Sequence, residues 1–175
     1  MDEAAFRDLF EAQFGDVWRF ARRRCWSGDQ ADDVAAETFA VAWRRREELP
    51  VGRAIRLWLF GTARLVLANQ RRSDHRQERL GDRLASQPAP VGGGDPADQV
   101  VDSDDRLRVA LDGLTHDDRD LLIMRAWDGL AVTEIAALLD CTPNAASIRL
   151  HKARGRLAAA LGTTSIRERL EGDLR

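Results

Sequence analysis

Apolar residues recur with a helical period along most of the chain and lose it once, near the middle. Between Ala4 and Trp26 they fall at Phe6, Leu9, Phe10, Phe14, Val17, Phe20 and Ala21, the repeat of a helix with one buried face. Gly15 interrupts this helix at a cost of about 1 kcal/mol against alanine. Arg22, Arg23 and Arg24 finish it, where the helix dipole favours cations, and Ser27-Gly28 closes it. A second helix is expected from Asp29 as N-cap, with Asp32 and Asp33 in its first turn and Arg44, Arg45 and Arg46 at its end. Val34, Thr38, Val41 and Ala42 form its inward stripe. On the other side Asp32, Asp33, Glu37, Phe39 and Trp43 combine carboxylates with exposed-looking aromatics, a mixture characteristic of protein interfaces. A capped surface helix whose aromatics tuck into the core fits this helix alone equally well.

Pro50 and Gly52 mark residues 47–54 as a loop. A third helix follows over Ile55–Arg72, with Ile55, Trp58, Leu59, Ala63, Val66 and Leu67 on one side. Arg56, Arg64, Asn69, Arg71 and Arg72 lie off that stripe, and Arg53 precedes it. Arginines beside Trp58 and Phe60 could grip a phosphate backbone and stack the bases of a separated strand, although at this spacing Trp58 reads first as core. The three helices make a first all-α domain over 1–83. Residues 84–105 include Pro88, Pro90, Gly92, Gly93, Gly94 and Pro96, show no period, and read as a flexible linker. Roughly 20 extended residues reach about 65 Å, on the order of two turns of duplex DNA.

The helical period returns at Leu107, Ala110, Leu111 and Leu114. Thr115 is placed to cap a helix over Asp117–Trp127, with Leu121, Leu122, Met124 and Trp127 apolar, and Gly129 ends it. Two short helices then meet at the turn Asp140-Cys141-Thr142. In the first, starting at Thr133 or its neighbour, Ile135, Leu138 and Leu139 face inward. The second starts sharply, because Thr142 can cap it and Pro143 at its first position loses no needed donor. Ile148 or Ala145, Leu150 and Leu157 can pack inward, leaving Ser147, Arg149, His151, Lys152, Arg154 and Arg156 on a face without a carboxylate. This is a helix-turn-helix, whose second helix enters the DNA major groove. A merely solvated basic face is the competing reading. The second domain spans 106–164, and 165–175 is a mixed-charge tail expected to fray.

The formal net charge of -2 hides a segregation: Asp and Glu crowd 95–120, while 53–72 and 147–156 are free of them. Local cationic patches therefore exist on a nearly neutral chain. Cys25 and Cys141 lack metal-ligand spacing and read as small buried residues in a reducing compartment. The acidic start Met1-Asp2-Glu3 is no secretory signal, and no apolar run approaches the ~20 residues of a membrane span. A soluble, cytoplasmic protein without membrane insertion is expected. His75, His116 and His151 are scattered, and no phosphate-cradling glycine motif occurs. No catalytic residue, metal or cofactor is expected.

Three stretches then carry a resemblance: Asp29–Phe39; Trp58-Leu59-Phe60-Gly61-Thr62-Ala63-Arg64 running to Arg71-Arg72; and Leu130–Leu157, notably Glu134-Ile135-Ala136 and Arg149–Arg154. In that order they resemble an extracytoplasmic-function (group IV) sigma factor of the sigma-70 family, with a region-2 domain, a linker and a region-4 domain. The resemblance implies that Asp32, Asp33, Glu37, Phe39 and Trp43 dock on core RNA polymerase. It implies that the loop over 50–54, with Arg53, Arg56, Trp58, Arg64, Asn69, Arg71 and Arg72, holds the melting -10 element. It implies that Asn144, Ser147, Ile148, Arg149, His151 and Lys152 face the -35 element. Promoter DNA and an inhibitory anti-sigma factor are the further partners implied. Two departures stand out: Leu65 follows Arg64 where the family usually has Asn, and Ser147 stands at a commonly basic position. The acidic segment 95–105 reads first as a solvated linker; threading toward the polymerase cleft as a mimic of nucleic acid is the alternative for this segment. A stand-alone dimeric helix-turn-helix regulator is the alternative, but it leaves the first domain without a role. A pure interaction protein with solvated basic faces is a third reading.

Overall fold

A computed structural model describes residues 1–25, 27–81 and 103–172, with side chains over 1–25, 27–73 and 106–162. Among these residues seven helices fall into two compact units, Met1–Gly94 and Asp95–Arg175. The two-domain all-α reading is the architecture found. Most of the expected linker lies outside the described residues, as do Trp26 and the segment 95–102 of the acidic stretch. The last three linker residues are helical, because α4 already begins at Ser103.

The first unit is α1 (Glu3–Arg22), α2 (Gly28–Arg44) and α3 (Ala54–Gly81). Asp2 caps α1, its Oδ1 accepting from the Ala5 amide at 2.8 Å. Helix α1 ends four residues earlier than its apolar pattern implies, and Ser27 opens the next helix instead of closing this one. The Ser27 hydroxyl accepts from the Gln30 amide at 3.2 Å, so Ser27, not Asp29, is the N-cap of α2. Only Asp29 then lies in the first turn; Asp32 and Asp33 sit one turn on.

Helices α1 and α2 run antiparallel along an aromatic seam: Phe6 meets Trp43 edge-on at 4.9 Å, and Phe10 and Phe14 meet Phe39 at 4.8 and 6.1 Å. The Trp18 indole donates to Asp32 at the far end, 2.7 Å away. Helices α1 and α3 instead run parallel, with Phe20 stacked on Phe60 at 4.5 Å and Arg56 donating to Asp16 at 2.9 Å. Val17, Phe20, Ala21, Ala31, Val34, Ala35, Ala42, Leu59 and Ala63 close the core. Burying rings of this size contributes roughly 1.5–3 kcal/mol each. Val41 is not in the buried stripe of α2, which Ala31, Val34, Ala35, Thr38, Phe39 and Ala42 make up; Trp58 is half-buried and Phe60 fully so.

The second unit is α4 (Ser103–Asp112), α5 (His116–Ala126), α6 (Val132–Leu138) and α7 (Pro143–Gly172). Thr115 caps α5 as expected, its hydroxyl accepting from the Asp118 amide. Leu121, Leu122, Ile123 and Met124 are buried in succession, so α5 is covered on more than one face, while α7 packs against α4, α5 and α6. Trp127 lies beyond its end and is exposed, so it is not a core residue. Gly129 takes φ +69°, a conformation that costs glycine nothing, and the Leu130 amide returns to the Met124 carbonyl. Helix α7 continues to Gly172, through the segment expected to be a frayed tail. Its 158–161 segment Ala-Ala-Ala-Leu is strongly helix-forming, and a lone Gly162 costs too little to stop it.

Candidate functional site

Helix α2 carries two different faces where the sequence implied one. Asp32, Phe39 and Trp43 are spaced i, i+7, i+11 and turn toward α1. Asp32 accepts from Trp18, and Phe39 is only 4% exposed within the aromatic seam. Trp43 is 38% exposed, with the Arg46 guanidinium 4.6 Å over its ring. The expectation that Phe39 is an exposed anchor is therefore corrected: its ring completes the α1–α2 packing, and the cause is the phenylalanine ladder that α1 brings against it.

Asp33 and Glu37 lie about a quarter-turn away and face α3. They form one lip of an open groove of about 770 Å³ between α2 and α3, whose floor and far lip include Val41, Arg45, Leu65, Val66 and Asn69. Leu65 is 64% exposed, an apolar knob on a wall with carboxylates opposite. Glu37 also accepts from Arg44 at 2.8 Å; exposed pairs of this sort contribute under about 1 kcal/mol. The groove thus joins Asp33 and Glu37 to Asn69 of the strand-holding set. Val41, Arg45 and Leu65 were not singled out for this surface, and the available signal was the i, i+4, i+8 spacing of Asp33, Glu37 and Val41.

On α3 the predicted strand-binding residues are dispersed. Arg53 and Val51 are exposed on the loop, and Asn69, Arg71 and Arg72 are exposed on the helix. Arg64 and Trp58 are half-buried. Arg56 is held by Asp16 while its guanidinium lies 4.5 Å over the Phe60 ring. Phe60 itself is inaccessible to a base. Burial raises the Asp16 carboxyl, but hydrogen bonds and charge from Arg56 and Arg19 outweigh it and hold the group below its usual range.

The helix-turn-helix forms by the expected local chemistry and one unexpected element. Helix α6 lacks a capping side chain at Ala131, but Glu134 reaches back to accept from the Ala131 amide at 2.7 Å. Asp140 takes φ +49°, and the amides of Asp140 and Cys141 close onto the carbonyls of Ala137 and Ala136, a Schellman turn with aspartate where glycine is usual. Thr142 Oγ1 accepts from the Ala145 amide at 3.2 Å. Ala146, Leu150 and Ala153 are buried on α7. Ala146 thus takes the inward place first given to Ile148 or Ala145, and Ile148 is 48% exposed. Asn144, Ser147, Ile148, Arg149, His151 and Lys152 all lie on the exposed side. Arg156 leaves this set: its guanidinium donates to both oxygens of the buried Asp118 at 2.6 and 2.7 Å, and Thr115 donates to the same carboxylate at 2.9 Å.

Among the described residues no group of three or more His, Cys, Asp or Glu is placed to hold a metal ion, and no helix is long and apolar enough to cross a membrane.

Comparison with known proteins follows the same two-unit division. Residues 9–77 match the family described as Sigma-70 region 2, and residues 104–157 match Sigma-70, region 4. The chain is 32% identical over 163 residues to the RNA polymerase sigma factor CarQ of Myxococcus xanthus, covering 90% of each. It is 30% identical over 155 residues to the ECF RNA polymerase sigma factor SigL of Mycobacterium tuberculosis, covering 87% of this chain and 86% of the relative. Its fold is shared with the sigma factor RpoE of Bartonella quintana, solved in complex with the anti-sigma factor NepR. The TM-score is 0.69 at 24% identity, covering 90% of this chain and 97% of that one.

Proposed function

The chain belongs to the ECF RNA polymerase sigma factors of the sigma-70 family, and from that membership we propose how its surfaces divide the work of initiation. The α2–α3 groove receives a helical element of core polymerase: Asp33 and Glu37 meet its cations, while Val41 and Leu65 cover its apolar side. Trp43 adds an aromatic contact at the rim. The exposed side of α7, through Asn144, Ser147, Ile148, Arg149, His151 and Lys152, reads the -35 element in the major groove. Arg53, Arg64, Asn69, Arg71 and Arg72 of the loop and α3 hold the separated -10 strand, with half-buried Trp58 as an aromatic on the same helix. Arg56 acts chiefly by fixing α3 against α1.

The observation that carries this reading is the separation of charge in space. Two carboxylates, Asp33 and Glu37, line the α2–α3 groove beside one arginine, Arg45, whereas the outer side of α7 between Asn144 and Arg156 has no carboxylate. Each DNA-facing surface is small and gives weak, salt-sensitive binding alone. Mounting both on one polymerase raises the effective concentration of the second contact once the first forms. The protein acts in the cytoplasm, performs no catalysis of its own, and is restrained by an anti-sigma factor covering the groove and the α7 face.

The test is run-off transcription with purified core polymerase on a genomic fragment library, beside binding assays on the promoters recovered. Specific initiation and tight promoter binding are expected only when both proteins are present. Tight specific binding by the chain alone, unchanged when core polymerase is added, overturns the proposal in favour of a stand-alone regulator.

A further inference from the structure

The first unit holds a run of arginines that the strand-binding set above does not include. Arg22 is the last residue of α1, Arg23 its C-cap, and Arg24 follows in the turn; from Val17 to Gly28 the chain has no carboxylate, and from Leu49 to Ser73, across the loop and most of α3, it has none either. The fold lays these two stretches side by side. Asp16 meets Arg56, and Phe20 meets Phe60, so α1 and α3 run parallel at a constant offset of 40 residues between partners. Arg24 follows the last turn of α1 and folds back over the Phe20 ring, which stacks on Phe60 one turn before Arg64.

The packing holds the cluster in place. Arg24 lies 3.6 Å over the Phe20 ring and donates to the Phe20 carbonyl at 2.8 Å. Phe20 in turn stacks on Phe60, over whose ring lies Arg56, making a column of guanidinium, ring, ring, guanidinium across the α1–α3 seam. Arg22 reaches the Cys25 carbonyl at 3.5 Å. Burial raises the Cys25 thiol, yet the charges of Arg71, Arg22 and Arg24 all bear on it in the opposite direction. The end of α1 and the distal part of α3 therefore share one cationic field around Cys25.

We propose that Arg22, Arg23 and Arg24, together with Arg64, Arg71 and Arg72, form one continuous phosphate-binding track, so that the end of α1 grips the backbone of the separated promoter strand beside α3. The ligand class is the sugar-phosphate backbone of single-stranded DNA, read for charge and not for base. Arg24, pre-positioned over the Phe20 ring, loses little freedom when it binds phosphate. The inference rests on the strand-binding role given to α3 above.

The experiment uses holoenzyme assembled from core polymerase and the full chain, with a fork-junction DNA made from a promoter recovered by run-off transcription. Its binding is measured across a salt series for the native chain, for Arg22→Gln/Arg23→Gln and for Arg22→Lys/Arg23→Lys, with co-migration on core polymerase checked for each. The glutamine pair is expected to flatten the slope of log affinity against log salt by about 0.7 for each phosphate that is no longer neutralised, so by about 1.4 for two. The lysine pair is expected to keep the native slope. An unchanged slope in the glutamine pair overturns the track while leaving the α3 assignment standing. Native holoenzyme that does not bind the fork sinks both together.

A second readout needs no substitution. Alkylation of Cys25 in native holoenzyme, followed by mass spectrometry, is expected to slow when fork DNA lacking a -35 element is added, while Cys141 in the helix-turn-helix is unaffected. Equal Cys25 rates with and without DNA overturn the proposal.

Discussion

Helices α2 and α7 both carry residues that a partner is expected to contact, and the fold treats them in opposite ways. On α7 the buried stripe Ala146, Leu150 and Ala153 is small and aliphatic. Among the described residues, none of Asn144, Ser147, Ile148, Arg149, His151 and Lys152 makes a side-chain hydrogen bond or ion pair. On α2 the corresponding residues are partly spent on the neighbouring helix, Asp32 on Trp18 and Phe39 in the aromatic seam, while Glu37 pairs with Arg44 at the surface of α2 itself. A helix packed on one side keeps one face free, as α7 does. A helix gripped by α1 on one flank and α3 on another keeps only what lies between. Substitutions on the α7 face are therefore expected to change function alone, whereas those on α2 and α3 mix function with stability unless they fall in the groove.

Asp33→Arg breaks this comparison most sharply. Asp33 is exposed in the groove, so the reversal is expected to leave the fold intact and to abolish run-off transcription at every promoter, because the variant no longer co-migrates with core polymerase. Normal transcription by this variant refutes the groove assignment. Asp118→Ala comes next: it removes a buried carboxylate that accepts from Arg156 and Thr115, at an expected cost of about 2 kcal/mol to the second unit. Chemical denaturation should show the loss, and a cost near zero would mean that Arg156 does not tie α7 to α5.

Arg149→Ala is expected to cost about 1–3 kcal/mol of binding at promoters that depend on the upstream element while leaving the thermal midpoint unchanged. A shifted midpoint would contradict the one-sided packing of α7. Acid sharpens the contrast within the first unit. Asp16 has its folded pKa depressed by Arg56 and Arg19. Its contribution is therefore fully present above the unfolded carboxylate range and is lost as pH falls through the lower folded value. Asp16→Asn should flatten the decline in stability of the first unit below about pH 4, as followed by Trp fluorescence across a pH series. A decline of undiminished steepness rules out this ion pair as its source. Gly15→Ala is the smallest expected effect, a gain of about 0.5–1 kcal/mol in thermal stability. The added Cβ would meet only the flexible Arg19 guanidinium, at 3.4 Å, and a loss of stability would show that Arg19 cannot give way.

Much of this molecule was legible from residue order. Helix periods, the Thr115 and Thr142 caps, Pro143 at a first helical position and the Gly129 stop are local signals, and each acts through neighbours within a turn or two. The helix-turn-helix and the absence of carboxylates on its outer face are local in the same sense. Ser27 is ambiguous in the sequence because a serine-glycine pair can end one helix or start the next, and only the hydrogen bond from the Gln30 amide decides between them. What tertiary structure alone decided is which side of α2 remains available. The 3.6-residue repeat cannot say that the phenylalanines of α1 cover Phe39, that Asp16 claims Arg56, or that Asp118 claims Arg156 across 38 positions. Those outcomes depend on how helices far apart in the chain align, and alignment is set by mutual packing that no single helix contains.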